Sequence, residues 1–299
     1  MPYKDKRGKE NTNIQRRYDS RRLEKQSDKA KAWRLMHPGY DAERRRRERA
    51  PFDGRHISPQ LIDEVMTPIR FKSNNLLVAS DWHIPFHDAD LVQEMLKTAK
   101  QYSVEDIAVP GDFFDCDNYK VFINLPWGET FRMELEEVAM HLQILVDTFK
   151  RTYFCRGNHE YRWIRQNIGQ TGMRELFNLT GILDGYEVTE DNWMTVGTAR
   201  GDWMLAHPRQ YRQTKLSLAG DLAEKYHINT FCAHGHFFDS GWSKSGWYQV
   251  VDGGGMFDAD LTGYLRDITT YPWTLNGYWL LQDGYAIPFE GKRKNKVKP

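Results

Sequence analysis

Five short apolar segments, each ending in Asp, Asn or His, constrain the fold of this chain most strongly. Their polar ends read DWH (residues 81–83), GDFFD (111–115), GNHE (157–160), H (207) and HGH (234–236). Stretches of helical periodicity, such as DADLVQEMLKTAKQY and ETFRMELEEVAMHLQILVDTFK, lie between several of them. Strands that alternate with amphipathic helices predict an α/β layered core.

The carboxyl ends of strands in an open α/β sheet form the edge at which ligands bind. We therefore expect the five polar ends to lie together at one edge of the same sheet. Each motif alone is commonplace, because a D-x-H sequence is usually a surface loop and Gly-Asp is usually a turn. Five such ends in one chain are much harder to explain as solvated loops, and together they favour a ligand site.

The residue types at these ends indicate the class of ligand. They offer imidazole, carboxylate and amide groups without a thiolate, a set that suits Mn, Fe, Zn or similar ions rather than a structural zinc site. The candidates are too many for one tetrahedral ion. They suit two divalent ions that share a bridging carboxylate, a pair that can clamp the oxygens of an in-line displacement at phosphorus.

In this order, the motifs D-x-H, G-D-x-x-D, G-N-H-E, H and H-x-H resemble the calcineurin-like metallophosphoesterase superfamily over residues 74 to about 290. The resemblance implies an α/β fold, a layered β-sandwich of two mixed sheets flanked by helices. It also implies hydrolysis of a phosphate ester through attack by a metal-bridging hydroxide. The cofactors implied are two divalent ions, Mn²⁺ foremost, with Fe, Zn or Ni as alternatives.

The same resemblance assigns roles to individual residues. His159 is expected to face the leaving-group oxygen as general acid or transition-state stabiliser, and Asp115 to orient it by a hydrogen bond. The expected metal ligands are Asp81, His83 and His236 for the first ion, Asp112 as the bridge, and Asn158, His207 and His234 for the second.

Two departures from the family pattern bear on these assignments. The last motif is usually G-H-x-H, whereas this chain reads AHGHFF over residues 233–238. Either His234 and His236 form the pair, which we favour, or Gly235-His236 starts the motif and Phe238 replaces the final His. In addition, the position after Asp115 is Cys116, where protein Ser/Thr phosphatases of the superfamily carry Arg, and this weakens a protein-phosphatase interpretation.

Arginines on both sides of the GNHE motif are candidates for holding substrate phosphate, because a guanidinium pairs well with phosphate oxygens. They are Arg156, Arg162 and Arg165. The alternative is a half-buried helix in which Trp163 packs on the sheet, and for Trp163 itself we favour this alternative.

Charge is distributed unevenly along the 299 residues. Residues 1–56 contain 18 Lys and Arg against 9 Asp and Glu, and the chain ends in KRKNKVKP. We expect a basic, partly helical or disordered arm over residues 1–56, a linker over 57–73, a catalytic domain over 74–290 and a basic tail over 291–299. The basic ends indicate contact with a polyanion such as nucleic acid, or else act only as solubilising tails.

Apolar runs, the N-terminal sequence and the cysteines limit where the protein is expected to be located. The sequence has no apolar run long enough to span a membrane, and its first residues, MPYKDKRGKE, are not expected to act as a secretory signal. Its three cysteines, Cys116, Cys155 and Cys232, have no C-x-x-C spacing and are expected to be free and buried. A reducing cytoplasm is the simplest location.

Three functions remain in competition. A phosphodiesterase or nuclease acting on nucleic acid is favoured, because GDFFD is similar to the corresponding motif of DNA-repair nucleases of the superfamily and the basic arm would add salt-sensitive affinity. A phosphomonoesterase acting on protein or small molecules is the first alternative. A non-catalytic nucleic-acid-binding protein on the same scaffold is the second.

Overall fold

The computed structural model describes residues 68–116, 131–167, 171–259, 261 and 275–291. All of them belong to the compact unit Ile62–Pro299. The basic arm, most of the predicted linker and most of the predicted basic tail lie outside the described residues.

Within these residues the chain forms twelve strands and five helices. The strands are β1 (Arg70–Lys72), β2 (Asn75–Val78), β3 (Asp106–Pro110), β4 (Arg151–Cys155), β5 (Tyr186–Thr189), β6 (Trp193–Thr198), β7 (Gly201–Ala206), β8 (Asn229–Cys232), β9 (Phe238–Trp242), β10 (Gln249–Gly253), β11 (Gly277–Gln282) and β12 (Tyr285–Glu290). The helices are α1 (Ala89–Gln101), α2 (Phe131–Thr148), α3 (Asn158–Gln166), α4 (Met173–Asn178) and α5 (Ser217–Tyr226).

The strands form two six-stranded mixed sheets. The first has the order β12-β11-β2-β3-β4-β5, and the second has the order β1-β6-β7-β8-β10-β9. Strands β2 to β5 pair in parallel, and β11 joins β2 antiparallel. Every residue of β3 is buried, which explains why its sequence DIAVP shows no alternation between apolar and polar positions.

The core between the sheets is built from alternate residues of the facing strands. Leu76 and Val78 of β2 meet Trp203 and Leu205 of β7, with Phe231 of β8 beside them. The opposite face of the first sheet is covered by helices whose apolar stripes complete a second cluster. Helix α5 packs on the second sheet through Ala219 and Ala223. This is the layered sandwich flanked by helices that the resemblance implies.

The prediction that all five polar ends lie at the edge of one sheet is wrong. All five predicted strands form, but β2, β3 and β4 belong to the first sheet, whereas β7 and β8 belong to the second. An apolar run identifies a strand but not its sheet, because the sheet depends on the pairing partners. Strand β7 pairs with β6 and β8, and β6 was not recognised in the sequence. Strand β1, within the predicted linker, pairs in parallel with β6.

Smaller predictions can also be compared with the structure. Trp163 is 6% exposed and belongs to the cluster beneath the helices, as the packing alternative expects. The three cysteines are free and buried. Within the described part of the chain, no helix has both the length and the apolar character needed to cross a membrane.

Glu134 joins the first turn of α2 to the end of the loop after β3. Its side chain is buried and its Oε1 accepts a hydrogen bond from the Cys116 N–H at 2.7 Å. Burial, with the nearby carboxylate of Asp115, raises the pKa of Glu134 to about 8. The folded protein therefore keeps a proton on this carboxyl at neutral pH that the unfolded chain releases.

A pH-dependent stability follows for Glu134. Because its pKa is higher in the folded than in the unfolded state, stability declines as pH rises from about 4.5 to 8. Glu134→Gln keeps an acceptor for Cys116 but cannot ionise, so its Tm is expected to fall less than that of the wild type between pH 6.0 and 8.5. Thermal denaturation followed by circular dichroism measures both.

Glu136→Gln is the matched control, because Glu136 lies on the same helix with 62% of its side chain exposed. Its pH profile should follow that of the wild type. Equal losses of Tm in Glu134→Gln and the wild type would contradict an ionisable, buried Glu134.

Candidate metal centre

The polar ends of strands from both sheets converge on one site. In the first sheet, Asp81, Asp112 and Asn158 follow β2, β3 and β4. In the second sheet, His207 follows β7, and the pair His234 and His236 follows β8. The site therefore lies across the top of the sandwich and draws on both layers.

Asp81, His83 and His236 form a first group of possible ligands. His236 Nε2 lies 3.2 Å from Asp81 Oδ1 and 3.4 Å from His83 Nε2. Ligands bound at about 2.0–2.2 Å to one ion are separated by roughly 3–3.5 Å. These spacings therefore fit three donors directed at one cation.

Asp112, His207 and His234 form a second group. His207 Nε2 lies 3.2 Å from Asp112 Oδ2 and 2.9 Å from Asn158 Oδ1, and the His234 ring centroid is 5.1 Å from that of His207. Burial alone would lower the pKa of His207, but the carboxylate of Asp112 raises it to about 9. A strongly negative site that draws a proton onto an imidazole is suited to a cation.

Asp112 lies between the two groups. Its Oδ1 accepts a hydrogen bond from the His159 N–H at 2.9 Å. Its Oδ2 lies 3.9 Å from His83 Nε2, 3.7 Å from His159 Nε2 and 3.2 Å from His207 Nε2. One carboxylate oxygen thus faces both groups, which is the placement that a bridging ligand requires. The donors present fit a pair of divalent ions.

The backbone is strained at the predicted ligands. Five of the seven have a positive φ, between 49° and 72°, which costs a residue other than glycine about 1–3 kcal/mol. Such strain persists where the surrounding structure holds it, and it concentrates at ligand and active sites. The five residues are Asp81, His83, Asp112, His234 and His236.

The alternatives for the last motif differ in what the structure places at each position. His234 lies with the second group, and His236 lies with the first. The Phe238 side chain is buried in the core, with its ring centroid 4.6 Å from that of Trp279. Both histidines of the favoured alternative are therefore at the site, and Phe238 is away from it.

Glu160 holds the loops that carry Asp112 and Asn158. Its buried carboxylate accepts four backbone N–H groups, from Asp112 at 3.1 Å, Phe113 at 2.7 Å, Phe114 at 3.1 Å and Gly157 at 2.9 Å. A Cβ at Gly157 would collide with the backbone N and the side chain of Asp112. The two loops therefore meet through a glycine and a single carboxylate.

His159 is held by the main chain more closely than by the carboxylate predicted to orient it. His159 Nδ1 lies 2.6 Å from the carbonyl oxygen of Asp115 and 3.2 Å from its Oδ1. Asp115 Oδ1 is nearer to His83 Nδ1, at 3.0 Å. His159 Nδ1 therefore faces a backbone acceptor, and Nε2 is the ring nitrogen directed at Asp112, 3.7 Å from its Oδ2. Burial lowers the pKa of His159.

The predicted phosphate-binding arginines differ in their placement. Two guanidinium nitrogens of Arg162 lie 2.9 Å from the two ring nitrogens of His159, so this side chain is at the site. Arg156 lies over the Tyr161 ring at 4.7 Å. Arg165 is exposed in the last turn of α3.

Sequence reasoning missed Arg209 and Tyr211 in the loop after β7. Arg209 lies over the same Tyr161 ring at 5.2 Å, and the Tyr211 ring centroid is 5.8 Å from that of His234. The signal was present, because HPRQYRQ places an arginine two residues after the predicted ligand His207.

Comparisons with known proteins give the family. The family model for calcineurin-like phosphoesterases matches residues 75–258, so the chain belongs to this family. A comparison with curated proteins found no significant match.

Solved structures show similarity at low sequence identity. A single mutant of Vps29 from Entamoeba histolytica is 11% identical, with a TM-score of 0.40 over 73% of this chain and 99% of that protein. YfcE, a phosphoesterase from E. coli, is 14% identical, with a TM-score of 0.38 over 73% and 98%. Nuclease MPE from Pseudomonas putida is 14% identical, with a TM-score of 0.31 over 72% and 87%.

Substitution of Glu160 is expected to loosen the site. Glu160→Ala removes the acceptor of four buried N–H groups, and each group left unsatisfied costs about 1–3 kcal/mol. This variant should therefore have a lower free energy of unfolding and a lower amount of metal bound per chain. Glu160→Gln keeps one acceptor oxygen and should be intermediate. Urea denaturation followed by tryptophan fluorescence and metal content by mass spectrometry measure the two effects.

Glu175→Gln is the matched control. Glu175 occupies the same position in α4, where its exposed carboxylate accepts one N–H, from Gly172 at 2.7 Å. This variant should lose at most about 1 kcal/mol and keep its metal. Equal effects of Glu160→Gln and Glu175→Gln would show that Glu160 has no special role.

Proposed function

We propose that this protein is a dinuclear-metal phosphodiesterase that cleaves nucleic acid. The observation that carries the proposal is the position of Asp112, whose Oδ2 lies within 3.9 Å of imidazole nitrogens from both ligand groups. Asp81, His83 and His236 would hold one ion, Asn158, His207 and His234 would hold the other, and Asp112 would contribute to both sites. Divalent ions bound in this way supply an activated water and a Lewis acid for in-line displacement at phosphorus.

His159 is the residue proposed to act on the leaving group. Its Nδ1 is held by the Asp115 carbonyl, so a proton for the leaving oxygen has to reside on Nε2. Protonation of Nε2 is favoured by the carboxylates of Asp112 and Asp115 and opposed by burial and by Arg162. The negative charge of a bound phosphate adds to the favourable side.

Arginines beside the site support a polyanionic substrate. Arg162 borders His159, and Arg156 and Arg209 lie on the ring of Tyr161. Guanidinium groups positioned on a tyrosine ring offer positive charge to the phosphates of a polyanion. The basic arm, with its 18 Lys and Arg, would add affinity that depends on salt.

The substrate class is tested with a panel of substrates and Mn²⁺. The panel contains a chromogenic phosphodiester, a chromogenic phosphomonoester, single-stranded DNA and double-stranded DNA, each with the full chain and with a chain that lacks residues 1–56. We expect turnover of the diester and of DNA, and a loss of DNA cleavage alone when the arm is absent.

Other outcomes are equally informative. Turnover of the monoester alone would overturn the diesterase proposal and leave a phosphomonoesterase. No turnover of any substrate by protein with bound metal would overturn catalysis altogether and favour a nucleic-acid-binding role on this scaffold.

His159→Gln separates a leaving-group role from a structural one. Loss of a general acid should reduce kcat on DNA by about 10²–10⁴-fold, because its alkoxide leaving group needs a proton. A nitrophenyl diester, whose leaving group is stable as an anion, should be affected far less. Equal losses on both substrates, with metal content unchanged, would contradict proton donation by His159.

A further inference from the structure

A second kind of histidine cluster lies outside the centre described above. His87 follows β2 in the loop before α1, and Glu137 and His141 stand one turn apart on α2. One donor atom from each lies within 4.8 Å of the others. His141 Nε2 is 3.3 Å from Glu137 Oε1, and the His87 and His141 ring centroids are 4.0 Å apart.

Three imidazole nitrogens of this cluster have no hydrogen-bond partners in the described part of the structure. This holds for Nδ1 of His87 and for both ring nitrogens of His141, since Glu137 Oε1 is within ion-pair distance of His141 Nε2 but does not form a hydrogen bond with it. The His141 residue is 6% exposed. A buried nitrogen without a partner costs about 1–3 kcal/mol, so natural structures retain few of them without a ligand or a water to satisfy them.

An ordinary ion pair between Glu137 and His141 does not account for the cluster. Burial lowers the pKa of His141 to about 4, and burial together with the nearby His141 lowers that of His87 to about 4. Both rings are therefore neutral near pH 7. A neutral imidazole with an available lone pair is the form that binds a metal ion.

The three side chains stand on well-anchored segments. The backbone of His87 forms a bridge with Phe257, and the N–H of Asp88 donates to the Met256 carbonyl at 2.7 Å. Helix α2 is fixed by its buried face, which includes Val138 and Leu142.

We propose that His87, Glu137 and His141 form a separate site for one zinc ion. Two imidazoles and a carboxylate are a known zinc ligand set, and tetrahedral ligands at about 2.0–2.1 Å stand roughly 3.3 Å apart, as His141 Nε2 and Glu137 Oε1 do. The Glu137 side chain is 36% exposed, so water can reach the site as the fourth ligand.

An ion at this site would tie α2 to the loop after β2. His87 is four residues beyond His83 in the chain, and the Trp82 ring centroid lies 6.0 Å from that of His141. The site therefore restrains the segment that carries two ligands of the first group, Asp81 and His83. Its role is to hold that segment rather than to take part in hydrolysis.

The test counts bound metal in the full-length protein. Protein stripped with chelator is dialysed against zinc, and zinc per chain is measured by mass spectrometry. We expect His87→Ala, His141→Ala and Glu137→Gln each to lose one zinc per chain relative to the wild type, because each variant removes one of the three protein ligands. Glu136→Gln, on the exposed face of the same helix, should match the wild type.

Cobalt provides a readout that does not depend on folding of the histidine variants. Co²⁺ in a four-coordinate site gives intense visible absorption. The absorption that arises from this site should be absent in Glu137→Gln. This variant is suitable because the Glu137 side chain is partly exposed, so its replacement should not disturb folding. Equal zinc content and identical Co²⁺ titrations in the wild type, His87→Ala and Glu137→Gln would overturn the proposal. The outcome does not depend on whether the protein hydrolyses phosphate esters.

Discussion

The carboxylate of Glu160 is the interaction on which the candidate centre depends. It accepts backbone N–H groups from the loop after β3 and from the turn after β4, so it fixes the separation of Asp112 and Asn158. Burial raises the pKa of this carboxyl, and the backbone donors directed at it offset part of that rise. The direct contact of Gly157 with Asp112 leaves no space for a side chain there. The separation of these two candidate ligands is thus set by backbone groups, which cannot change rotamer.

Acidic side chains that contact two neighbours each explain how a site of this size stays compact. Asp112 uses one oxygen for the His159 N–H and turns the other towards both ligand groups. The Asp115 carboxylate lies between His83 and His159, and its carbonyl holds the ring of His159. Each acidic residue therefore serves two neighbours. This arrangement concentrates the negative charge of buried carboxylates in a small volume, where bound cations would compensate it.

The sequence predicts the ends of the strands well and the relations between distant segments poorly. Asp81, Asp112 and His207 could be recognised because each follows directly on an apolar run. The assignment of β7 and β8 to a second sheet could not, because pairing depends on strands such as β6 with no distinctive pattern. The four hydrogen bonds of Glu160 and the contact of Arg209 with Tyr161 depend on tertiary approach in the same way. His87 lies 50 residues from Glu137 in the chain, so no local spacing could have joined them.

Because the candidate ligands come from the ends of strands in both sheets, a complete metal centre would require the two layers to be correctly aligned. A shift of one layer along its strands by one residue would move its ligands by about 3.3 Å, beyond the reach of a shared ion. The sheets are already joined by apolar packing and by two indole N–H groups, which donate from Trp203 to the Gly284 carbonyl and from Trp279 to the Gly253 carbonyl. Coordination would add a further directional restraint between the layers. A bound metal pair would therefore cross-link the two sheets of the sandwich. The surrounding loops would then be free to differ in sequence and conformation without disturbing the centre.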